Sequence, residues 1–181
     1  MKNLKDFIRT IPDYPIKGIN FYDLNSLFAG PKYNQVINNL ADKCAEYYDT
    51  PTHIVGIESR GFVLGSAIAY AMNLPFIMVR KEGAKYPGEL LKETYELEYG
   101  KDTLVLQQGL IGHTNRVIIV DDLVATAGSM LATKRLVEQT GASVLGGVCV
   151  IDLKYARNFD LATELNLYAL EYVWSNDDRT V

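Results

Sequence analysis

The stretch Val117-Ile118-Ile119-Val120-Asp121-Asp122-Leu123-Val124-Ala125-Thr126-Ala127-Gly128-Ser129, VIIVDDLVATAGS, decides the fold. Four branched apolar residues in a row suit a strand buried on both faces, since a strand with one wet face would alternate. Two adjacent carboxylates follow, and then a turn with almost no side chain. Beyond it Met130, Ala132, Leu136 and Val137 recur at the spacing of a helix's inner face, and Gly141 ends that pattern. The unit reads as strand, turn, helix.

The same grammar recurs along the chain. Short apolar runs lie at 54–57 (Ile-Val-Gly-Ile), 76–79, 117–120, 144–151 and 167–173, with helical patterns between most of them. Continuous apolar strands separated by helices indicate a doubly wound, mostly parallel α/β sheet covered on both faces. A helix opened by Pro31 carries Val36, Ile37, Leu40, Ala41, Cys44, Tyr47 and Tyr48 on one stripe. Leu4, Phe7, Ile8 and Ile11 have helical spacing too, so an amphipathic helix is expected at the N-terminus. The eighteen residues 62–79 lack a charge, the length of a membrane span, but Asn73-Leu74-Pro75 breaks them into a buried helix and a strand. No membrane is implied. Thr94 to Tyr99 alternates, Gly100-Lys101-Asp102 reads as a turn and 103–107 returns, which makes a hairpin. The glycine-bearing charged loop from Lys81 to Gly88 ahead of it is of the kind that moves.

Bulk properties narrow the function. With 181 residues, 48% of them apolar and 22% charged, the chain suits a single domain over 1–181. A net charge of -4 and a pI near 5.2 do not suggest nucleic acid or an anionic membrane as partner. Cys44 and Cys149 sit in apolar runs and read as buried thiols of a reducing, cytoplasmic compartment. The segment 175–179 reads as a polar tail.

In open α/β sheets, ligands bind beyond the carboxyl ends of the strands, where Asp121 and Asp122 stand. Free N–H groups converging at a helix N-terminus suit a phosphate monoester, and Thr126 and Ser129 add hydroxyls. Carboxylates suit vicinal hydroxyls, or a metal. Acids for a sugar beside bare backbone for its phosphate fit a ribose 5-phosphate; the plainer alternative is a turn whose aspartates only cap it. Gly56-Ile57-Glu58-Ser59-Arg60-Gly61-Phe62 also closes a strand, and its arginine and amides suit a second anion. Phe62 stands where a Walker loop needs lysine, so this is not one. Arg80, Lys81 and Lys85 follow the next strand and fit the same anion.

These residues carry a resemblance. VIIVDDLVATAGS is similar to the phosphoribosyl-diphosphate signature of type I phosphoribosyltransferases. GIESRGF, the Arg80-Lys81 loop and YELEYG (residues 95–100) resemble the adenine-specific branch, in matching order from about Ile11 to Leu153. The resemblance implies transfer of the phosphoribosyl group of phosphoribosyl diphosphate to adenine, giving AMP and pyrophosphate. It implies a hood over about 1–30 and a mobile loop and hairpin flap over about 81–107. Asp121 and Asp122 would meet the ribose hydroxyls, and Ala125, Thr126, Ala127, Gly128 and Ser129 the 5-phosphate. Ser59 and Arg60, at an unusual cis peptide, together with Arg80, Lys81 and Lys85, would meet pyrophosphate, which magnesium accompanies. Adenine would lie between Phe21 and Leu153, read by backbone near Asn20 and Tyr22. By alternation alone Glu98 is a solvated carboxylate; the resemblance implies that it reaches the imidazole ring of the purine while Tyr99 closes over the site. It also implies a homodimer in which Arg80 is the residue offered to the partner's site.

The sequence departs from the pattern in places. Tyr22 stands where arginine is common, Ala84 looks inserted, and Ala127 and Ser129 replace a usual glycine and threonine. A 6-oxopurine or orotate transferase fits the phosphate loop equally well but not YELEYG. A non-catalytic phosphoribosyl-diphosphate sensor would carry a DNA-binding domain ahead of the sheet, where this chain has about fifty mildly charged residues.

Overall fold

The computed structural model of the chain describes residues 4–47, 49–83, 85–96, 100–156 and 163–175. A 3-10 turn over Leu4–Phe7 leads into β1 (Arg9–Pro12), which pairs antiparallel with β2 (Asn20–Asp23) in a separate two-stranded sheet. This corrects the amphipathic helix expected at the N-terminus: Ile11 faces Phe21 across a ladder, and Pro12 lacks the N–H that a continuing helix would need. The short α1 (Asn25–Phe28) follows, and then α2 (Tyr33–Ala45), which begins two residues beyond Pro31. Of the stripe read on α2, Val36, Ile37, Leu40, Ala41 and Cys44 are buried; Tyr48 lies outside the described residues. The Tyr47 hydroxyl donates to the Gly147 and Asn166 carbonyls at 3.0 Å, pinning the end of α2 to the sheet.

The main sheet then alternates with helices: β3 (His53–Ile57), α3 (Arg60–Met72), β4 (Phe76–Lys81), the hairpin β5 (Leu90–Glu96) and β6 (Lys101–Gln107), β7 (Arg116–Val120), the two-residue β8 (Leu123–Val124), α4 (Gly128–Gln139), β9 (Ser143–Leu153) and β10 (Leu167–Val173). Strand order is β10-β9-β7-β3-β4-β6-β5, with β8 also on β9. The pairs among β10, β9, β7, β3 and β4 are parallel; β6 joins β4 antiparallel and β5 joins β6 antiparallel. The doubly wound reading therefore holds for the centre and gives way to a hairpin at one edge. That hairpin is longer than its alternation suggested. Lys101 and Asp102, read as turn, are paired with Glu96 and Tyr95, because pairing with the apolar β6 recruits Leu90 to Glu93 ahead of the alternating part.

Two cores explain why the strands are apolar throughout. Val55, Ile57, Val117 and Ile119 pack with the α4 residues Met130, Leu136 and Val137. Their neighbours Ile54, Ile118 and Val120 pack with α2 and α3 through Leu40, Leu64 and Ile68. Successive residues of one strand thus serve opposite faces. Ile118 and Ile119 are each fully buried, and each such side chain contributes about 1.5–3 kcal/mol. Cys44 and Cys149 are buried and not joined by a disulfide, and burial pushes the Cys44 thiol up to about 12.

Close approach at one glycine fixes where α3 starts. A Cβ on Gly56 would lie 2.8 Å from the Gly61 carbonyl oxygen and 2.8 Å from the Phe76 ring. Gly56→Ala is expected to destabilise the fold by about 1–3 kcal/mol, the range for overpacking a core, with a matching fall in the denaturant midpoint; an unchanged midpoint would show that α3 can retreat freely.

Candidate active site

Three strand ends converge. β3 and β7 are parallel neighbours, so the chain leaving Ile57 and the chain leaving Val120 emerge side by side, and β4 delivers Arg80 and Lys81 on the other flank of β3. Between them lies a cavity of about 440 Å³ lined by Glu58, Ser59, Arg60, Lys81, Asp121, Asp122 and Ser129, among others. Segments distant in sequence thus meet at the carboxyl edge of the sheet.

The two acids are set deep. Asp121 and Asp122 are 9% and 5% exposed, yet both line the cavity. The Asp122 amide donates to Asp121 Oδ1 at 2.9 Å, and the Asp122 carbonyl accepts from the Val150 and Ile151 amides. Gly61 makes room for the pair: a Cβ there would sit 2.8 Å from the Val120 carbonyl oxygen and 3.2 Å from Asp121 Oδ1. Arg60 Nε lies 2.9 Å from Asp122 Oδ2. Its N–H is not aimed along that contact, and Oδ2 has no hydrogen-bond donor among the described residues. Burial holds the Asp121 carboxyl well above the usual carboxylate range, and the neighbouring Asp122 pushes it further. Asp122 is also raised by burial, against the pull of Arg60.

The turn after the acids has the shape its composition suggested. Ala127 is left-handed, φ 71°, and leads straight into α4 with no side-chain cap. A left-handed alanine costs about 1–2 kcal/mol that glycine would not. The Gly128 amide has only a long 3.4 Å contact with Thr126 Oγ1. Ser129 lines the cavity; Ala125 packs into the second core. Gly128 is also a crossing point, since a Cβ there would be 3.1 Å from the Tyr95 ring and 3.2 Å from the Glu96 carbonyl oxygen. Strand β5 therefore lies directly over the turn, and Glu93 ties it to α4 through Arg135 and Gln139.

On the opposite wall the Glu58–Ser59 peptide is cis. The Glu58 amide donates to the Val79 carbonyl, and its carboxylate accepts from the Lys81 amide at 2.9 Å. That carboxylate also stands 3.4 Å from Arg80 Nε, while the Arg80 guanidinium lies over the Tyr86 ring. Arg80 is thus engaged within its own chain and does not line the cavity, and Lys85 is exposed and does not line it either. Phe21, edge-on to Tyr14, sits under the Arg60 guanidinium at 5.9 Å, so Arg60 joins the acid pair to the hood. Asn20 and Tyr22 are half-buried on β2, and Leu153 is buried at the end of β9; none of the four lines the cavity itself. Glu98, Tyr99 and Ala84 lie outside the described residues. Among the described residues no three His, Cys, Asp or Glu side chains cluster as a metal site, and no described helix is long and apolar enough to cross a membrane.

Three residues of this region were not singled out from sequence. Glu58 carries the Lys81 and Arg80 contacts, Tyr95 lines the cavity, and Asp102 accepts from the Tyr95 hydroxyl. Glu58 and Tyr95 sat inside the quoted motifs; Asp102 was hidden by being read as turn.

The buried acids make a prediction for stability. A carboxyl whose folded pKa exceeds its ordinary 3.8 binds its proton more tightly when folded, so stability is full below the unfolded value and falls as pH rises through the folded one. Asp121→Asn keeps an acceptor for the Asp122 amide and removes that cost. Its melting temperature without ligand should exceed that of the parent protein at pH 7, with the gap closing toward pH 4; a variant less stable at pH 7 would refute the account.

Comparison with known proteins gives this geometry a family. The phosphoribosyl transferase domain model matches residues 23–177. The chain is 43% identical to an adenine phosphoribosyltransferase of Rhodospirillum rubrum, over 86% of this chain and 90% of that one. The crystal structure of adenine phosphoribosyltransferase from Thermoanaerobacter pseudethanolicus superposes with a TM-score of 0.86 at 36% identity, covering 93% of this chain and 97% of the other. The Saccharomyces cerevisiae enzyme, solved with adenine and an imino-altritol bisphosphate, gives 0.84 at 37% identity, covering 92% and 96%. The chain therefore belongs to the phosphoribosyl transferase family and, within it, to the adenine phosphoribosyltransferases.

Proposed function

We propose that this chain transfers the 5-phosphoribosyl group from phosphoribosyl diphosphate to adenine, yielding AMP and pyrophosphate, and so serves purine salvage. One observation carries the reading. A buried acid pair, whose Asp122 Oδ2 is ion-paired with Arg60 but has no hydrogen-bond donor among the described residues, stands beside an uncapped small-residue turn, in a cavity whose other wall bears Ser59, Arg60 and Lys81. A buried acceptor without a donor is costly unless a ligand supplies one, and ribose hydroxyls are donors of the right kind. In this reading the amides and hydroxyls of 125–129 take the 5-phosphate. Ser59, Arg60 and Lys81 take the diphosphate, with Arg80 and Lys85 as further cations of the flank.

The reaction is displacement at the anomeric carbon. N9 of adenine forms the new bond, the bond to the diphosphate oxygen breaks, and pyrophosphate leaves with the electron pair, while the N9 proton must pass to a base. The protein's part is to fix both reactants in line and to place charge where it develops. Adenine would lie beside Phe21, near Leu153, with Asn20 and Tyr22 offering backbone groups from β2. Magnesium would neutralise charge on the diphosphate. Such a cation keeps waters and substrate oxygens and asks for only one or two carboxylates, which Asp121 and Asp122 can give. The same reading takes 1–181 as one domain with its hood at about 1–30, and a homodimer in the cytoplasm as the working form.

Turnover with a panel of adenine, hypoxanthine, guanine and xanthine tests it. Adenine should be consumed in the presence of phosphoribosyl diphosphate and magnesium and the other bases should not. Preference for a 6-oxopurine would reassign the substrate, and diphosphate binding without turnover would point to a sensor. Glu98, assigned from its motif, would hold the proton balance at the imidazole ring of the purine. Glu98→Gln should lower kcat by about 10²-fold or more, the scale of a lost general acid/base, with KM for phosphoribosyl diphosphate little changed; full turnover would remove the role.

A further inference from the structure

The base of the hairpin carries a carboxylate that the proposed chemistry does not use. Asp102 faces Tyr95 directly across the β5–β6 ladder. Its Oδ2 lies 3.4 Å from the Tyr95 hydroxyl, which donates to it, and 3.3 Å from the Lys81 ammonium. Its other oxygen accepts from the Thr103 amide at 2.8 Å, which fixes the carboxylate's orientation. Lys81 and Tyr95 both line the cavity and Asp102 does not. Tyr95 is buried and packs its ring against Gly128 of the phosphate turn. One carboxylate outside the cavity therefore tethers a cation on the diphosphate wall and an aromatic ring on the phosphate wall.

We propose that Asp102 is a positioning residue for anion binding: it holds the Lys81 ammonium at the rim of the cavity, pointed by the hairpin, so that the lysine need not be ordered by the ligand. The inference rests on the reading of the cavity as a phosphoribosyl-diphosphate site. Two effects of Asp102 oppose each other. Its negative charge repels an incoming diphosphate, and its grip spares the ligand the cost of fixing a long, flexible side chain. Screening weakens both effects, but Asp102 touches Lys81 at 3.3 Å and does not line the cavity, so its repulsion of a diphosphate there is weakened more than its grip on the lysine. Positioning should win.

Three variants measured under steady state decide the matter: Asp102→Asn, which removes the charge but keeps the shape and an acceptor; Asp102→Glu, which restores the charge; and Lys81→Met. Asp102→Asn should raise KM for phosphoribosyl diphosphate about two- to fivefold, the scale of one half-exposed ion pair, with kcat and melting temperature near those of the parent. Asp102→Glu should recover most of the loss. In a Lys81→Met background Asp102→Asn should add nothing, because the group it positions is gone. An unchanged or lowered KM in Asp102→Asn would overturn the proposal, as would an equal rise in the Lys81→Met background. Should the parent protein itself fail to turn over phosphoribosyl diphosphate, the reading of the site falls first and this inference with it, an outcome distinct from a parent that works and a variant that matches it.

Discussion

Everything at the sheet's carboxyl edge is arranged around two adjacent carboxylates held almost out of water at the end of β7. Burying charge of one sign is expensive, and it persists only where compensation is close. Here the compensation comes from elsewhere in the chain. Arg60, at the first turn of α3, stands against Asp122, and the absence of a side chain at Gly61 lets that helix press onto Val120 and Asp121. The compensation is incomplete, since both carboxyls stay raised above their usual range and Asp122 Oδ2 has no hydrogen-bond donor among the described residues. The acid pair therefore remains only partly compensated by the protein's own groups.

The same constraint accounts for the architecture around the acids. Parallel pairing of β3 with β7 brings Ser59-Arg60 beside Asp121-Asp122, and pairing of β3 with β4 brings Lys81. The antiparallel hairpin added beyond β4 then folds back over the α4 turn, through Tyr95 on Gly128. The hairpin belongs to the first core, with Tyr95, Leu104 and Leu106 buried among α4 residues. Its base is therefore part of the structural core.

Strand and helix identities were legible in sequence because each depends on local periodicity: four apolar residues in a row at 117–120, a 3.6 stripe along α2, Asn73-Leu74-Pro75 as a break. The motif at 121–129 was legible for a related reason, since its chemistry is contiguous. The N-terminal segment was misread because helical spacing at Leu4, Phe7, Ile8 and Ile11 cannot report that Ile11 will find Phe21 as a ladder partner. The hairpin's turn was misplaced for the same cause: Lys101 and Asp102 look like turn residues until β5 supplies their partners.

By itself, then, the sequence determined the α/β class, the strand ends that line the cavity, and the family whose pattern those ends follow, because these are properties of neighbouring residues. Only the tertiary structure decided that Arg60 pairs with Asp122 and covers Phe21, that Glu58 serves Lys81, that Ala127 is held left-handed, and that Asp102 ties Lys81 to Tyr95. Those contacts join residues of different elements or impose backbone geometry that packing dictates, and no local pattern encodes the crossover that brings two strand ends together.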